Sequence, residues 1–138
     1  MTRILITPRS LTSAPPAELE RLRAAGFEPV FCTPGKTPDE AELRALVPGC
    51  VGWLAGVEPV SEAVIEAATD LRVISRNGTG VDSLPLKLLE TKGIAVERAA
   101  GANATGVAEL AVGLMLSCCR HLPEISKGVA AGGWPRRV

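Results

Sequence analysis

Five short apolar runs recur along the chain, separated by stretches in which apolar positions fall three and four residues apart. The runs are Arg3 to Thr7, Phe27 to Cys32, Cys50 to Ala55, Leu71 to Ser75 and Ile94 to Glu97. Their length and β-branched content predict buried strands. After a loop through Pro8, Arg9 and Ser10, a helix is expected from about Pro15, with Leu19, Leu22 and Ala25 on one face and Gly26 as its stop. Thr37-Pro38-Asp39-Glu40 reads as the next helix start. Threonine caps, proline suits the first turn, and glutamate reaches back to the cap. That helix turns Leu43, Leu46 and Val47 inward and ends before Pro48-Gly49. Ser61 is the expected cap of a helix carrying Val64, Ile65 and Ala68, and a short helix is expected from about Ser83 to Thr91.

Strands alternating with helices, each strand a short continuous apolar run, predict an α/β fold with a mostly parallel sheet covered on both faces. Right-handed crossovers make a flavodoxin-like, doubly wound five-stranded sheet of order 2-1-3-4-5 the simplest topology. The last helix breaks the pattern. From about Asn103 or Thr105, the residues Val107, Ala108, Leu110, Ala111, Val112, Leu114, Met115 and Leu116 point in nearly every direction around the axis. A helix apolar all round needs cover on all sides, from a second domain or a second copy of the chain. The expected division is residues 1–102 as the sheet domain and 103–138 as an interdomain or dimerisation helix and tail, with a homodimer formed through Val107 to Leu116. A short helix from Glu124 to Ala130 closes the chain, and the residues from Trp134 onward form no further element. The sequence is therefore expected to be truncated relative to a longer protein.

The 138 residues are one domain's worth, and the formal net charge of zero gives no sign of nucleic-acid or anionic-membrane binding. The most apolar stretch, Val107 to Cys119, is too short to span a membrane and contains Glu109, and Ile4 to Ile6 is too short for a signal peptide. A soluble, cytoplasmic protein is expected. Cys32, Cys50, Cys118 and Cys119 lack metal-ligand spacing, so reduced, mostly buried thiols are expected, with no metal site. His121, the single histidine, reads as a surface residue at a helix end.

The candidate chemistry gathers beyond the carboxyl ends of the strands, at Arg9, the Gly56 loop, Arg76 to Gly80, and Arg98 to Asn103. Strand four ends in Arg76-Asn77-Gly78-Thr79-Gly80, where side chains give way to bare backbone. Glycines there let peptide N–H groups approach a ligand and cradle a phosphate or carboxylate. The plain alternative is that Gly78 and Gly80 only turn the chain toward the next helix. The stretch also imitates the dinucleotide fingerprint G-x-G-x-x-G, with Glu97 near the place of the ribose-binding acid. Ser83 replaces the third glycine, and Asp82 puts negative charge where a pyrophosphate needs positive potential.

Four blocks carry a resemblance: A-G-x-E-P-V at Ala55 to Val60, L-R-V-I-S-R-N-G-T-G-V-D-S from Leu71, G-I-A-V from Gly93, and G-A-N-A-T-x-V-A-E-L-A-V-G-L-M-L from Gly101. Together they resemble the amino-terminal part of D-isomer-specific 2-hydroxyacid dehydrogenases, closest to phosphoglycerate dehydrogenase-like members. The resemblance implies a substrate-binding, flavodoxin-like domain that faces a Rossmann domain carrying NAD. It implies that Arg76, Asn77, Gly78, Thr79 and Gly80 bind the carboxylate of a small 2-hydroxy or 2-oxo acid, and that Ala55 and Gly56 form a second substrate loop. Asn103 matches a substrate contact, while Thr79 and Val107 match positions beside the nicotinamide. Some members carry Arg-Ser where this chain has Ala55-Gly56, which argues against strong phosphate recognition. The family's catalytic arginine, glutamate and histidine and its G-x-G-x-x-G loop match nothing here, and His121 is not that histidine. The chain alone is therefore expected to hold no catalytic residue, to bind NAD weakly or not at all, and to be inactive. A standalone flavodoxin-like module that binds a small carboxylate or a partner is the alternative. A small nucleotide-binding protein using Gly78 to Ser83 is a third reading.

Overall fold

The structure, a computed structural model, describes residues 2–136 and divides into two units, Met1–Ala100 and Gly101–Val138. In the first unit, β1 (Thr2–Ile6), β2 (Phe27–Phe31), β3 (Cys50–Ala55), β4 (Val73–Arg76) and β5 (Ala95–Arg98) form one sheet, every pairing parallel, in the order β2-β1-β3-β4-β5. The expected order is the observed one. Across the sheet, Leu5 pairs with Trp53, Trp53 with Ile74, and Ile74 with Val96. Leu5, Trp53 and Ile74 are at most 1% exposed and join Leu43, Val64, Ile65 and Leu89 in one core. Those partners come from α3 (Glu40–Leu46), α4 (Glu62–Ala67) and α5 (Leu86–Thr91). The opposite sheet face carries Ile4, Gly52 and Val73, where a Gly52 side chain would meet Ile4 at 3.6 Å and Val73 at 3.7 Å.

Several local expectations are corrected. Pro8-Arg9-Ser10 is not open loop but the start of α1 (Arg9–Ser13), because Leu11 and Thr12 both donate their N–H to the Pro8 carbonyl. The helix expected from Pro15 is instead a 3₁₀ turn, Ala17–Leu19, running into α2 (Glu20–Ala24). The cap of α3 is Asp39, whose side chain accepts from Glu42 N at 2.8 Å; Thr37 does not cap it. Ser61 caps α4 as expected, accepting from Val64 N. The helix before β5 begins at Leu86 rather than near Ser83.

The second unit holds α6 (Ala104–Cys119) and α7 (Leu122–Ala130), joined through His121, whose φ of 49° places it in the left-handed region. His121 is exposed between the two helices, as expected. No residue of α6 is buried; Leu110 is 62% and Leu114 57% exposed. The expectation for the thiols is also corrected: Cys32 and Cys50 are buried in the sheet unit, while Cys118 and Cys119 at the end of α6 are exposed. Among the described residues, no helix is long and apolar enough to cross a membrane.

Candidate functional site

Parallel strands deliver their carboxyl ends to one edge, and backbone hydrogen bonds lock the loops that leave β1, β3 and β4 together there. Thr7 N donates to Leu54 O at 3.1 Å, and Asn77 N donates to Ala55 O at 2.9 Å. Between these loops lies an open cleft of about 420 Å³, lined by Arg9, Gly56, Glu58, Arg76 and Asn77 among others.

The loop after β4 depends on glycine for a specific reason. Gly78 has φ +152°, and a side chain there would stand 2.9 Å from Arg76 Nη1. The Arg76 guanidinium folds over that bare position and donates from Nη1 to Asn77 O at 2.6 Å. Its Nε is buried and has no hydrogen-bond partner among the described residues. Gly78 itself is tied on both sides, donating to Arg76 O at 2.8 Å and accepting from Ala99 N at 3.1 Å. The next two N–H groups, of Thr79 and Gly80, find no partner among the described residues. Thr79 is half-buried and Gly80 exposed, and an N–H group without an internal partner is free to bind an acceptor from outside the chain where it reaches the surface.

The floor of the cleft is a buried polar network that the sequence reading did not foresee. Glu58, 2% exposed, folds back from the β3–α4 loop and accepts at Oε1 from Gly56 N, at 2.9 Å, and from the Thr7 hydroxyl. Thr7 Oγ1 accepts in turn from Trp53 Nε1 at 2.9 Å. Gly56 must lack a side chain, because a Cβ would stand 2.6 Å from Glu58 Oε2 and 3.1 Å from Pro8 Cα. The one available signal was an acidic residue set between apolar positions and followed by Pro59. Cys32 also approaches this floor, with Sγ 3.7 Å from Thr7 O. Burial first, then the carboxylates of Glu42 and Glu58, push its thiol up to about 11, so it is no nucleophile at neutral pH. Burial also raises the Cys50 thiol.

Of the expected site residues, Gly56, Arg76 and Asn77 line one cleft. Ala55 is buried at the end of β3, and Gly78, Thr79 and Gly80 continue the chain from Asn77. Asn103 and Val107 belong to the second unit. Asn103 precedes α6 without a side-chain capping bond, and Val107, in the first turn, is 56% exposed. The residues from Gly78 to Ser83 do not fit a dinucleotide pyrophosphate. Asp82 Oδ2 lies 3.4 Å from where a Gly80 side chain would begin, and α5 starts only at Leu86, behind Pro85. Negative charge thus stands where the phosphates need positive potential, and the next helix does not begin directly at the loop. Among the described residues, no group of three or more His, Cys, Asp or Glu side chains is arranged to hold a metal.

Comparison with known proteins gives the family of the chain and agrees with its fold. Residues 5–131 match the model of the D-isomer specific 2-hydroxyacid dehydrogenase catalytic domain. Hydroxypyruvate reductase of Thermotoga maritima is 40% identical over 101 residues, which are 72% of this chain and 33% of that protein. D-3-phosphoglycerate dehydrogenase of Methanocaldococcus jannaschii is 41% identical over 78 residues, 56% of this chain and 15% of that protein. The chain thus spans a third or less of the length of these relatives. Among solved structures, the TT0316 protein of Thermus thermophilus superposes with a TM-score of 0.82 at 30% identity, over 99% of this chain and 43% of that one. The NAD+-bound 3-phosphoglycerate dehydrogenase of Entamoeba histolytica gives 0.67 at 26% identity, over 84% and 38%.

Proposed function

This chain belongs to the D-isomer specific 2-hydroxyacid dehydrogenase family, and we propose that its sheet unit binds the carboxylate of a small 2-hydroxy or 2-oxo acid for an NAD-dependent oxidoreductase of which it is one part. The observation that carries this is the pair of N–H groups at Thr79 and Gly80 that have no partner among the described residues, in the loop that Arg76 opens at the cleft. Two peptide N–H groups and a cation are the donors a carboxylate needs, and bonds to a charged acceptor are the strong kind. Arg76, Asn77, Gly78, Thr79 and Gly80 form the carboxylate side in this reading, and Ala55 and Gly56 the adjoining substrate loop. Asn103 is proposed to complete the substrate contacts, and Thr79 and Val107 to lie against the nicotinamide. When bound, NAD supplies the hydride acceptor; this chain's own part is to hold and orient the acid. The 138 residues by themselves are proposed to turn nothing over.

The reading extends to assembly and setting. The apolar surface of α6, exposed over its whole length, supports self-association through Val107 to Leu116. Adjacent, free, exposed thiols at Cys118 and Cys119 support a reducing, cytoplasmic setting.

Titrating D-glycerate into the labelled chain by NMR tests the central claim. The amide resonances of Thr79 and Gly80 are expected to move. Gly78→Ala, which forces a side chain against Arg76 Nη1 at a φ of +152°, is expected to weaken binding by roughly tenfold or more, the loss of about one charge-assisted hydrogen bond. Shifts confined to residues outside the cleft, or an affinity indifferent to Gly78→Ala, contradict the proposal.

A further inference from the structure

The cleft is larger and more cationic than one carboxylate requires. At roughly 30 Å³ per water in the liquid, its 420 Å³ accommodates a molecule on the order of ten heavy atoms. One side carries Arg76 and Asn77, the residues that lead into the glycine loop. The other side is built by α1 and the turn after β2, which places Arg9, Ser13 and Thr37 on the lining. This wall has a fixed geometry: Arg9 Nε donates to Gly35 O at 3.1 Å, and Gly35 N donates back to Thr12 Oγ1 at 3.1 Å. With Nε so engaged, the guanidinium is held at the rim while Nη1 and Nη2 make no hydrogen bond among the described residues. The one carboxyl group on the lining, Glu58, already accepts two hydrogen bonds at Oε1. Among the described residues, the lining thus carries two guanidinium groups, Arg9 and Arg76, against one carboxyl.

We propose that Arg9 is a specificity-determining residue that receives a second anionic group, carboxylate or phosphate, on the far end of the acid. This rests on the carboxylate reading of the glycine loop and extends it to a substrate class: 2-hydroxy or 2-oxo acids with an anionic tail are preferred over those with a neutral one. Arg9 offers an anion a forked donor with two N–H-bearing ends that make no bond among the described residues. Because Arg9 is exposed, solvent screens the contact and the preference depends on salt.

The test compares D-glycerate, D-malate and 3-phospho-D-glycerate on this chain and on Arg9→Gln and Arg9→Lys, by NMR titration at low and high salt. Expected is a preference of roughly tenfold for at least one doubly anionic acid over D-glycerate at low salt, shrinking as salt rises. Whichever of D-malate and 3-phospho-D-glycerate binds more tightly identifies the tail as carboxylate or phosphate. Arg9→Gln, whose amide still reaches Gly35 O, is expected to remove most of the preference, and Arg9→Lys to restore part of it. Equal affinity for all three acids, or an undiminished preference in Arg9→Gln, overturns the role of Arg9 while leaving the carboxylate reading intact. Failure of every acid, D-glycerate included, to move the Thr79 and Gly80 resonances overturns both.

Discussion

Removing the Thr7 hydroxyl should cost more stability than removing the Glu58 carboxyl, although Glu58 is the buried acid. The asymmetry follows from who has a second partner. If Glu58 is truncated to Ala, the Thr7 hydroxyl can donate instead to Leu54 O, 3.2 Å away, and Gly56 N still has Thr7 Oγ1 at 3.3 Å. Glu58 lines the cleft, so water can fill the space it leaves. The expected loss is about 1 kcal/mol, one net hydrogen bond. Thr7→Val keeps the shape but strands two groups. Trp53 Nε1–H, in a side chain 1% exposed, loses its acceptor, and the Glu58 carboxyl loses one of its two donors. Each stranded buried group costs about 1–3 kcal/mol, so about 3 kcal/mol is expected in total. Urea denaturation followed by circular dichroism reads the difference. With a slope of about 2 kcal/mol per molar, Thr7→Val moves the midpoint down by about 1.5 M and Glu58→Ala by about 0.5 M. The two losses should not simply add, because in the double variant the acid short of a donor is gone while Gly56 N loses both of its acceptors. Glu58→Ala matching or exceeding Thr7→Val would refute the reasoning, and so would a Thr7→Val midpoint within error of the parent.

Two further outcomes are expected. Sedimentation should find the chain self-associated at micromolar concentration, and Leu110→Glu with Leu114→Glu should weaken that association by about a hundredfold or more, since each leucine buried on association contributes about 1.5–3 kcal/mol; a monomeric parent chain contradicts it. The Cys32 thiol, pushed up from 9.0 to about 11 in the fold, loses its proton more readily in the unfolded chain, so its contribution to stability is complete below about pH 9 and declines by about 1.4 kcal/mol per pH unit as pH rises toward 11. The stability of Cys32→Ala should fall less steeply over that window; parallel pH profiles for the two proteins exclude the effect.

What the sequence disclosed and what it concealed divide along sequence distance. The order of the sheet and the whole of β3 are written in runs of neighbouring residues, and so is the Ser61 cap. Five-residue α1 is too short to display a helical period, and Pro8 beside Arg9 and Ser10 reads as loop until its carbonyl is seen to accept from both Leu11 and Thr12. Thr37 and Asp39 both look like caps, and the choice falls to Asp39 because its side chain is the one that reaches Glu42 N. The floor of the site was invisible for a stronger reason: Thr7 and Glu58 are 51 residues apart, and neither carries a local pattern announcing the other. Yet that floor decides where the glycine loop stands. Asn77 hangs from Ala55 O, the residue before Gly56, and Gly56 is held by Glu58 and Thr7. A loop of small residues has little packing of its own to fix its amides, so their aim is inherited from the neighbours it bonds to. Thr7→Val should therefore weaken D-glycerate binding as well as stability, at a position that does not line the cleft. If the variant, measured well below its unfolding transition, binds the acid as tightly as the parent chain, the glycine loop holds its own shape and the network beneath it serves stability alone.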